Sequence, residues 1–357
     1  MDEVDLRILV ALGERPLGDY KWLSNRVAIS YSTLLKKLSK LVDSNILWGQ
    51  GYVSAQINYS SVGLEFVAIF IEAMLENWTK IEKVCDLHPY IRYRIRCLGS
   101  VNGFLALFAV PVGTVSLLLR FLDELIKAGI IVKYSLHTPM NRWAYTEYNF
   151  NFYDIESGTW KFDWNNWQKS IEDTPAPPLR KYPPSVLSQM NEEDMQILRQ
   201  LSINARMERK IIAKTVGIPP YQLSRRLRFY AENQVIDAYR IIFGSAILGL
   251  TTSALFECRD SVSVTEKFAL AVPKLPFQST FFPTQNGFIL YVAIPASDFP
   301  IIATILQKYC SSVKIMWCDY SASMRYWFND APGSFRCGEW VSSREFMVTD
   351  VLDKLLK

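Results

Sequence analysis

The stretch Ser224-Arg225-Arg226-Leu227-Arg228 places three guanidinium groups beside Leu223, Leu227 and Tyr230. Arginines at this density either solvate one face of a helix or hold phosphate oxygens through paired, charge-assisted hydrogen bonds. Residue types that make and break bonds are scarce elsewhere. The six cysteines (85, 97, 258, 310, 318 and 337) contain no C-x-x-C pair, and the two histidines, His88 and His137, lie far apart in the chain. Neither a disulfide framework nor a zinc site is expected, and reduced, buried thiols follow. No Ser/His/Asp set, metal cluster or phosphate loop stands out. The chain is therefore expected to be no enzyme and to require no cofactor.

The elements that position those arginines come from a repeat. With 357 residues, half of them hydrophobic and 21% charged, the chain is folded and long enough for two or more domains. A net charge of +4 permits a local phosphate-binding patch without demanding one. Asp5-Leu6-Arg7-Ile8-Leu9 matches Asp194-Met195-Gln196-Ile197-Leu198, and Leu34, Leu38 and Ile46 match Leu223, Leu227 and Val235 at the same separation. Further on, Gly63-Leu64 matches Gly249-Leu250, Asn102-Gly103-Phe104 matches Asn286-Gly287-Phe288, and Pro111 matches Pro295. One unit is written twice. The joint is IEDTPAPPLRKYPPSV at 171–186, whose five prolines predict a stiff, extended connector.

Each unit opens with a helical stripe (Val4, Leu6, Ile8, Leu9, Leu12), then a second helix capped by Asp19, then a third over 31–43 capped by Ser30. In the second unit Gly217 supplies the turn and Pro219-Pro220 open the third helix. These are helix-turn-helix motifs, and ILWGQGYVSAQIN (46–58) predicts a glycine-broken wing hairpin. GLEFVAIFIEA, ENWTKIEKVCD, YIRYRIRCLG, GFLALFAVP, TVSLLLRFLDELIKAG and IIVKYSLHT then read as βαββαβ, a ferredoxin-like sandwich repeated from Leu248 to Tyr320. The fold class is α+β. The expected boundaries are winged helix-turn-helix 1–58, sandwich 59–140, aromatic tail 141–170, proline-rich linker 171–187, second helix-turn-helix 188–243, second sandwich 244–322 and second tail 323–357. The apolar run 103–122 is long enough to cross a bilayer, but Pro111, Gly113 and Arg120 split it into strand and helix. The acidic start, MDEVDLRILVAL, lacks a signal-peptide layout. A cytoplasmic chain without membrane contact is expected.

This combination resembles the leucine-responsive/asparagine-synthesis (Lrp/AsnC) family of prokaryotic transcription regulators over about residues 2–138 and 191–320. The duplication and the Trp-x-Phe-Asp-Trp tail are departures associated with archaeal offshoots of that family. The resemblance implies a regulator that binds double-stranded DNA with its third helices in the major groove. Tyr31, Ser32, Thr33 and Lys36 of the first unit, and Tyr221, Gln222, Ser224 and Arg225 of the second, would then reach base edges. Lys37, Lys40, Arg226 and Arg228 would grip phosphates, and Leu34, Leu38, Leu223 and Leu227 would face inward.

The family's sandwiches pair face to face, and many hold an amino-acid effector at a glycine-containing loop. Gly99, Gly103 and Gly287 are the residues here that correspond, but Phe104 and Phe288 stand where the family has an acidic residue, and Asn-Gly is also a favoured hairpin turn. A small-molecule effector is therefore the weaker expectation. Both sandwiches lie in one chain, so an intramolecular pseudo-dimer is expected, with a homodimer of whole chains beyond it. Trp143, Trp160, Trp164, Trp167, Trp327 and Trp340 suit buried packing between units or chains. Two alternatives stand beside the regulator. One is a protein-interaction module that has lost DNA binding. The other is an enzyme similar to the siroheme decarboxylases, which share this layout and use a His-Asn-Tyr-like strand followed by an arginine. Tyr93-Arg94 and Phe277 occupy the corresponding strands here, with His88 and His137 elsewhere.

Overall fold

A computed structural model describes residues 1–49, 51–140, 144–173, 183–244 and 248–356. Most of the proline-rich connector (174–182) and Trp143 lie outside the described residues. The first helix-turn-helix comprises α1 (Glu3–Glu14), α2 (Tyr20–Val27) and α3 (Tyr31–Asp43), followed by β1 (Val53–Ile57). The first sandwich runs β2 (Leu64–Glu72), α4 (Trp78–Leu87), β3 (Ile91–Gly99), β4 (Gly103–Pro111), α5 (Val115–Lys127) and β5 (Lys133–His137). Its tail holds β6 (Ala144–Thr146), β7 (Tyr153–Asp154), β8 (Thr159–Trp160) and α6 (Trp164–Asp173). The same order then returns as α7 (Glu192–Ile203), α8 (Arg209–Val216), α9 (Pro220–Glu232) and β9 (Ile236–Ile241). A second βαββαβ set follows: β10 (Thr252–Arg259), α10 (Val262–Ala271), β11 (Ser279–Thr284), β12 (Gly287–Ile294), α11 (Phe299–Tyr309) and β13 (Ser312–Arg325). The second tail carries β14 (Phe335–Arg336), β15 (Glu339–Trp340) and α12 (Asp350–Leu356).

Local chemistry explains the helix boundaries. Asp2 and Asp5 form a reciprocal capping box on α1, as Asn191 and Asp194 do on α7. The turn before the third helix needs a left-handed residue, supplied by Gly217 at φ 82° and by Ala28 at φ 58°. The alanine at this position costs the first unit about 1 kcal/mol relative to glycine. Ser30 then accepts from the Thr33 amide at 3.1 Å and starts α3.

The strands do not stay within their own units. Each sandwich has the strand order of its fold, β5-β2-β4-β3 and β13-β10-β12-β11, and β3 pairs with β13 to join them. β6, next to β5 in the chain, closes the opposite flank on β11, and Pro139 bridges Thr284. The two sandwiches thus form one nine-stranded sheet with β5 and β6 at its edges. The wing is a correction to the expected hairpin: β1 pairs antiparallel with β9 of the other unit, from Val53↔Ile241 to Ile57↔Ile236. All five β1 residues are buried, so the strand needs cover on both faces, and the second unit provides it.

The packing is crossed as well. One hydrophobic core combines the first sandwich with the second helix-turn-helix and second tail; the other combines the second sandwich with the first helix-turn-helix and first tail. The tail tryptophans act as the clasps. Trp160 and Trp167 donate to the carbonyls of Leu248 and Ala271 at 2.8 Å, while Trp340 donates to Val62 at 2.7 Å. Each indole spends its single donor on the opposite unit.

Candidate functional site

The third helices present only part of their basic residues to solvent. Arg226 forms a two-point ion pair with buried Asp194 of α7, donates to the Gln189 carbonyl at 3.1 Å and lies over the Phe229 ring. Lys37 occupies the equivalent place on α3 and pairs with Asp2 and, at 3.1 Å, with Asp5. These two cations pin the third helix to the first. Gln222 donates to Glu193 at 2.7 Å, Ser224 bonds back to Pro220, and Ser32 and Thr33 bond to the Ser30 cap. Lys36, Lys40, Arg225 and Arg228 are exposed and form no ion pair among the described residues. Tyr221 and Tyr31 project beside them, 76% and 53% exposed.

The three glycines lie against backbone. A Cβ on Gly103 would stand 2.0 Å from the Ile71 carbonyl oxygen, one on Gly287 2.0 Å from that of Cys258, and one on Gly99 2.7 Å from that of Ile315. All three have positive φ. Their absent side chains let strands approach each other, and none of them lines the principal cavity.

That cavity, about 340 Å³, is walled by both units. Phe66, Leu105, Leu107, Leu255, Phe282 and Ile289 give it an apolar lining, and three arginines face it. Arg240 of β9 is neutralised by Glu147 at 2.8 Å, and its guanidinium carbon sits 3.6 Å from the Tyr145 ring centre. Arg92 and Arg325 have no carboxylate within ion-pair distance among the described residues. Arg92 bonds the Ile91 carbonyl at 2.9 Å and faces the Tyr59 ring; Arg325 donates to Ser54 Oγ at 2.9 Å and lies over Trp327. Burial lowers the pKa of both guanidinium groups, the sign of a cation held away from water. An incoming carboxylate relieves that cost through paired, charge-assisted hydrogen bonds.

Irregular strands aim these groups inward. Arg92 is the extra residue where β3 shifts register between Ile91 and Tyr93, so Arg92 and Tyr93 both reach the cavity. In β13 the register against β3 jumps between Asp319 and Met324, which turns Tyr320, Ser323 and Arg325 inward. Burial raises the pKa of Tyr93, Tyr145, Tyr291 and Tyr320 above the ordinary phenol value, so each carries its proton at neutral pH. The cavity therefore offers fixed cations, an apolar aromatic wall and protonated hydroxyls.

The sequence reading noted Tyr93 only as departing from the decarboxylases' histidine strand, yet Tyr93 lines the cavity, and the arginines beside it went unread. Arg94 turns away from the cavity, bonded to Asp86 at 2.8 Å and Glu82 at 3.1 Å. Phe277 packs against Trp160 and Trp164 outside the lining. His88 is buried behind the sheet with its pKa lowered to about 3 by burial, and His137 stands edge-on to Phe70. A polar residue inside an apolar strand was the available signal for Arg92, Arg240 and Arg325, but alternation alone assigns it to solvent.

No protein-family model matches the sequence, and no curated protein matches it. Among solved structures, the siroheme decarboxylase NirDL is similar over 99% of this chain and 100% of its own, with a TM-score of 0.57 and 13% identity. Its complex with an iron-uroporphyrin III analogue gives a TM-score of 0.56 at the same identity, covering 99% of both chains. An AsnC family transcriptional regulator from Agrobacterium tumefaciens is similar over 43% of this chain and 99% of its own, at 20% identity and a TM-score of 0.36. The expectation that the chain is no enzyme is corrected here: its whole-length fold is one that an enzyme has, helix-turn-helix motifs included.

Proposed function

We propose that the cavity between the two sandwiches binds a tetrapyrrole bearing carboxylate arms, and that the chain removes carboxyl groups from it as a siroheme decarboxylase. The carrying observation is the pair Arg92 and Arg325, cations with no carboxylate within ion-pair distance among the described residues, on an apolar, aromatic wall built from both units. A macrocycle with acidic arms matches that combination in charge and in apolar surface. Decarboxylation breaks the C–C bond to the carboxylate, releases CO2 and leaves an electron pair that a proton must quench. An arginine clamped to the reacting carboxylate would stabilise the ground state more than a transition state whose charge is leaving it. Arg92 and Arg325 therefore hold arms that do not react, while the reacting arm lies on the apolar wall.

Titration with siroheme and with iron uroporphyrin III, followed by the shift of the Soret band, tests binding; mass spectrometry of the products tests loss of CO2. An Arg325→Ala variant that binds as tightly as the natural chain would overturn the assignment.

The second reading is double-stranded DNA binding, favoured by the exposed set Tyr221, Arg225 and Arg228 on α9 and Tyr31, Lys36 and Lys40 on α3. Phosphate-based binding of this kind weakens steeply with salt. The Arg225→Ala/Arg228→Ala double variant should lose it; retention would exclude α9 as the contact.

A further inference from the structure

Ser54 and Gln56 of β1 share one face of their strand, and in the ladder with β9 Ser54 stands opposite Arg240, whose side chain leaves on that same face. Arg240 and Gln56 both line the principal cavity, and Arg325 reaches this face from β13 to donate to Ser54 Oγ at 2.9 Å. This face of the β1–β9 ribbon therefore looks into the cavity. Gln56 lies two residues, about 7 Å, along the strand from the serine that Arg325 touches. Its side chain is only 6% exposed, and its amide forms no hydrogen bond among the described residues. A buried primary amide ordinarily finds partners for its two N–H donors and its carbonyl. Its neighbours on the face are engaged: Arg240 with Glu147, and Ser54 with the Ser202 carbonyl and Arg325.

Resting on the tetrapyrrole reading above, we infer that Gln56 is a substrate-binding residue that, with Arg325, holds one carboxylate arm of the guest. Arg325 supplies the charge, and Gln56 Nε2 donates a further hydrogen bond to the same carboxylate. A neutral donor suits this position. Burial first, and then repulsion from Arg240, lower the Arg325 pKa, so the two guanidinium groups already oppose each other across this face. A third cation would add to that repulsion, whereas an amide adds a directed donor and no charge. The amide also fits the division of roles among the arms. It fixes the arm that Arg325 holds and leaves the apolar wall to the arm that reacts.

Soret titration of the full chain with iron uroporphyrin III, with Gln56→Met and Gln56→Glu alongside, tests the assignment. Gln56→Met keeps the length of the side chain and removes its donors and acceptor. It is expected to bind about 10-fold or more weakly, the scale of one hydrogen bond to a charged group. It is also expected to melt no lower than the natural chain, because no internal hydrogen bond is lost. Gln56→Glu sets a carboxylate beside Arg325 and is expected to bind more weakly still, since the arm must displace it. Equal affinity in Gln56→Met and the natural chain would overturn the inference and leave the tetrapyrrole reading intact. A lowered melting temperature in Gln56→Met would also overturn it, by giving the amide a structural role. Failure of the natural chain to shift the Soret band would overturn both.

Discussion

Arg226 was expected to touch DNA and instead sits in an internal ion pair, so its removal should register as lost stability. Asp194 is 1% exposed and accepts from Arg226 at both oxygens, from Tyr230 at 2.6 Å and from the Asn191 amide at 2.9 Å. Arg226→Ala strands a buried carboxylate, a class of change that costs about 3–5 kcal/mol. Two donors remain to Asp194, so the lower end applies, about 3 kcal/mol. That corresponds to roughly a 100-fold change in the local opening equilibrium. Native-state hydrogen exchange is the suitable assay, because a chain with several cores need not melt in one step and α7 amides report their own unit. Protection in α7 should fall by about two decades in Arg226→Ala, while Arg225→Ala and Arg228→Ala, both exposed, should stay within about 0.5 kcal/mol of the natural chain. Equal protection in Arg226→Ala and the natural chain would refute the reasoning.

Four further outcomes are expected. Arg325→Ala should weaken binding of iron uroporphyrin III by about 10- to 100-fold, a lost charged hydrogen bond being worth about 1.5–3 kcal/mol, as read by Soret titration. Gly103→Ala and Gly287→Ala should each cost about 2 kcal/mol or more in thermal stability, since each new methyl meets a carbonyl oxygen. His88, held neutral in the fold with a pKa of about 3 against 6.5 ordinarily, makes the unfolded chain bind the extra proton between those values. Stability should therefore decline as pH falls from about 6.5 towards 3, and His88→Phe should flatten that slope in acid titrations followed by circular dichroism. Asp2, lowered from 3.8 to about 2 chiefly by its bond to Lys37, contributes stability above pH 4 that is lost as pH falls towards 2. Lys37→Met should reduce that loss slightly, because Asp2 is half-exposed and solvent screens the pair.

Local signals carried most of the secondary structure. Ser30 starts α3 and the apolar period sets its length, so the helix read over 31–43 coincides with Tyr31–Asp43. The βαββαβ order likewise follows from alternation and turns. Partner choice did not follow, because alternation states which face of a strand is buried and not what covers it. Thus the segment 46–58 suggested a hairpin, while β1 lies on β9. The pinning roles of Lys37 and Arg226 were legible in retrospect: both stand at the same repeat position, each matched by the acidic third residue of a capping box, Asp5 or Asp194. The cavity was the least legible part. Arg92 and Arg325 stand where β3 and β13 break register, and nothing local marks those breaks.

The crossed packing also changes what the two halves are free to become. Separate subunits in this arrangement would have to find each other, and their union would depend on concentration. The tether makes that encounter internal, with an effective concentration set by its own length. A symmetric pair would furnish its chamber with two copies of every wall. This chain furnishes it with one of each: Arg92 comes from one half and Arg325 from the other, on the paired strands β3 and β13, and Arg240 is leashed to Glu147. The chamber therefore has two unlike ends where a pair of identical subunits would have two alike.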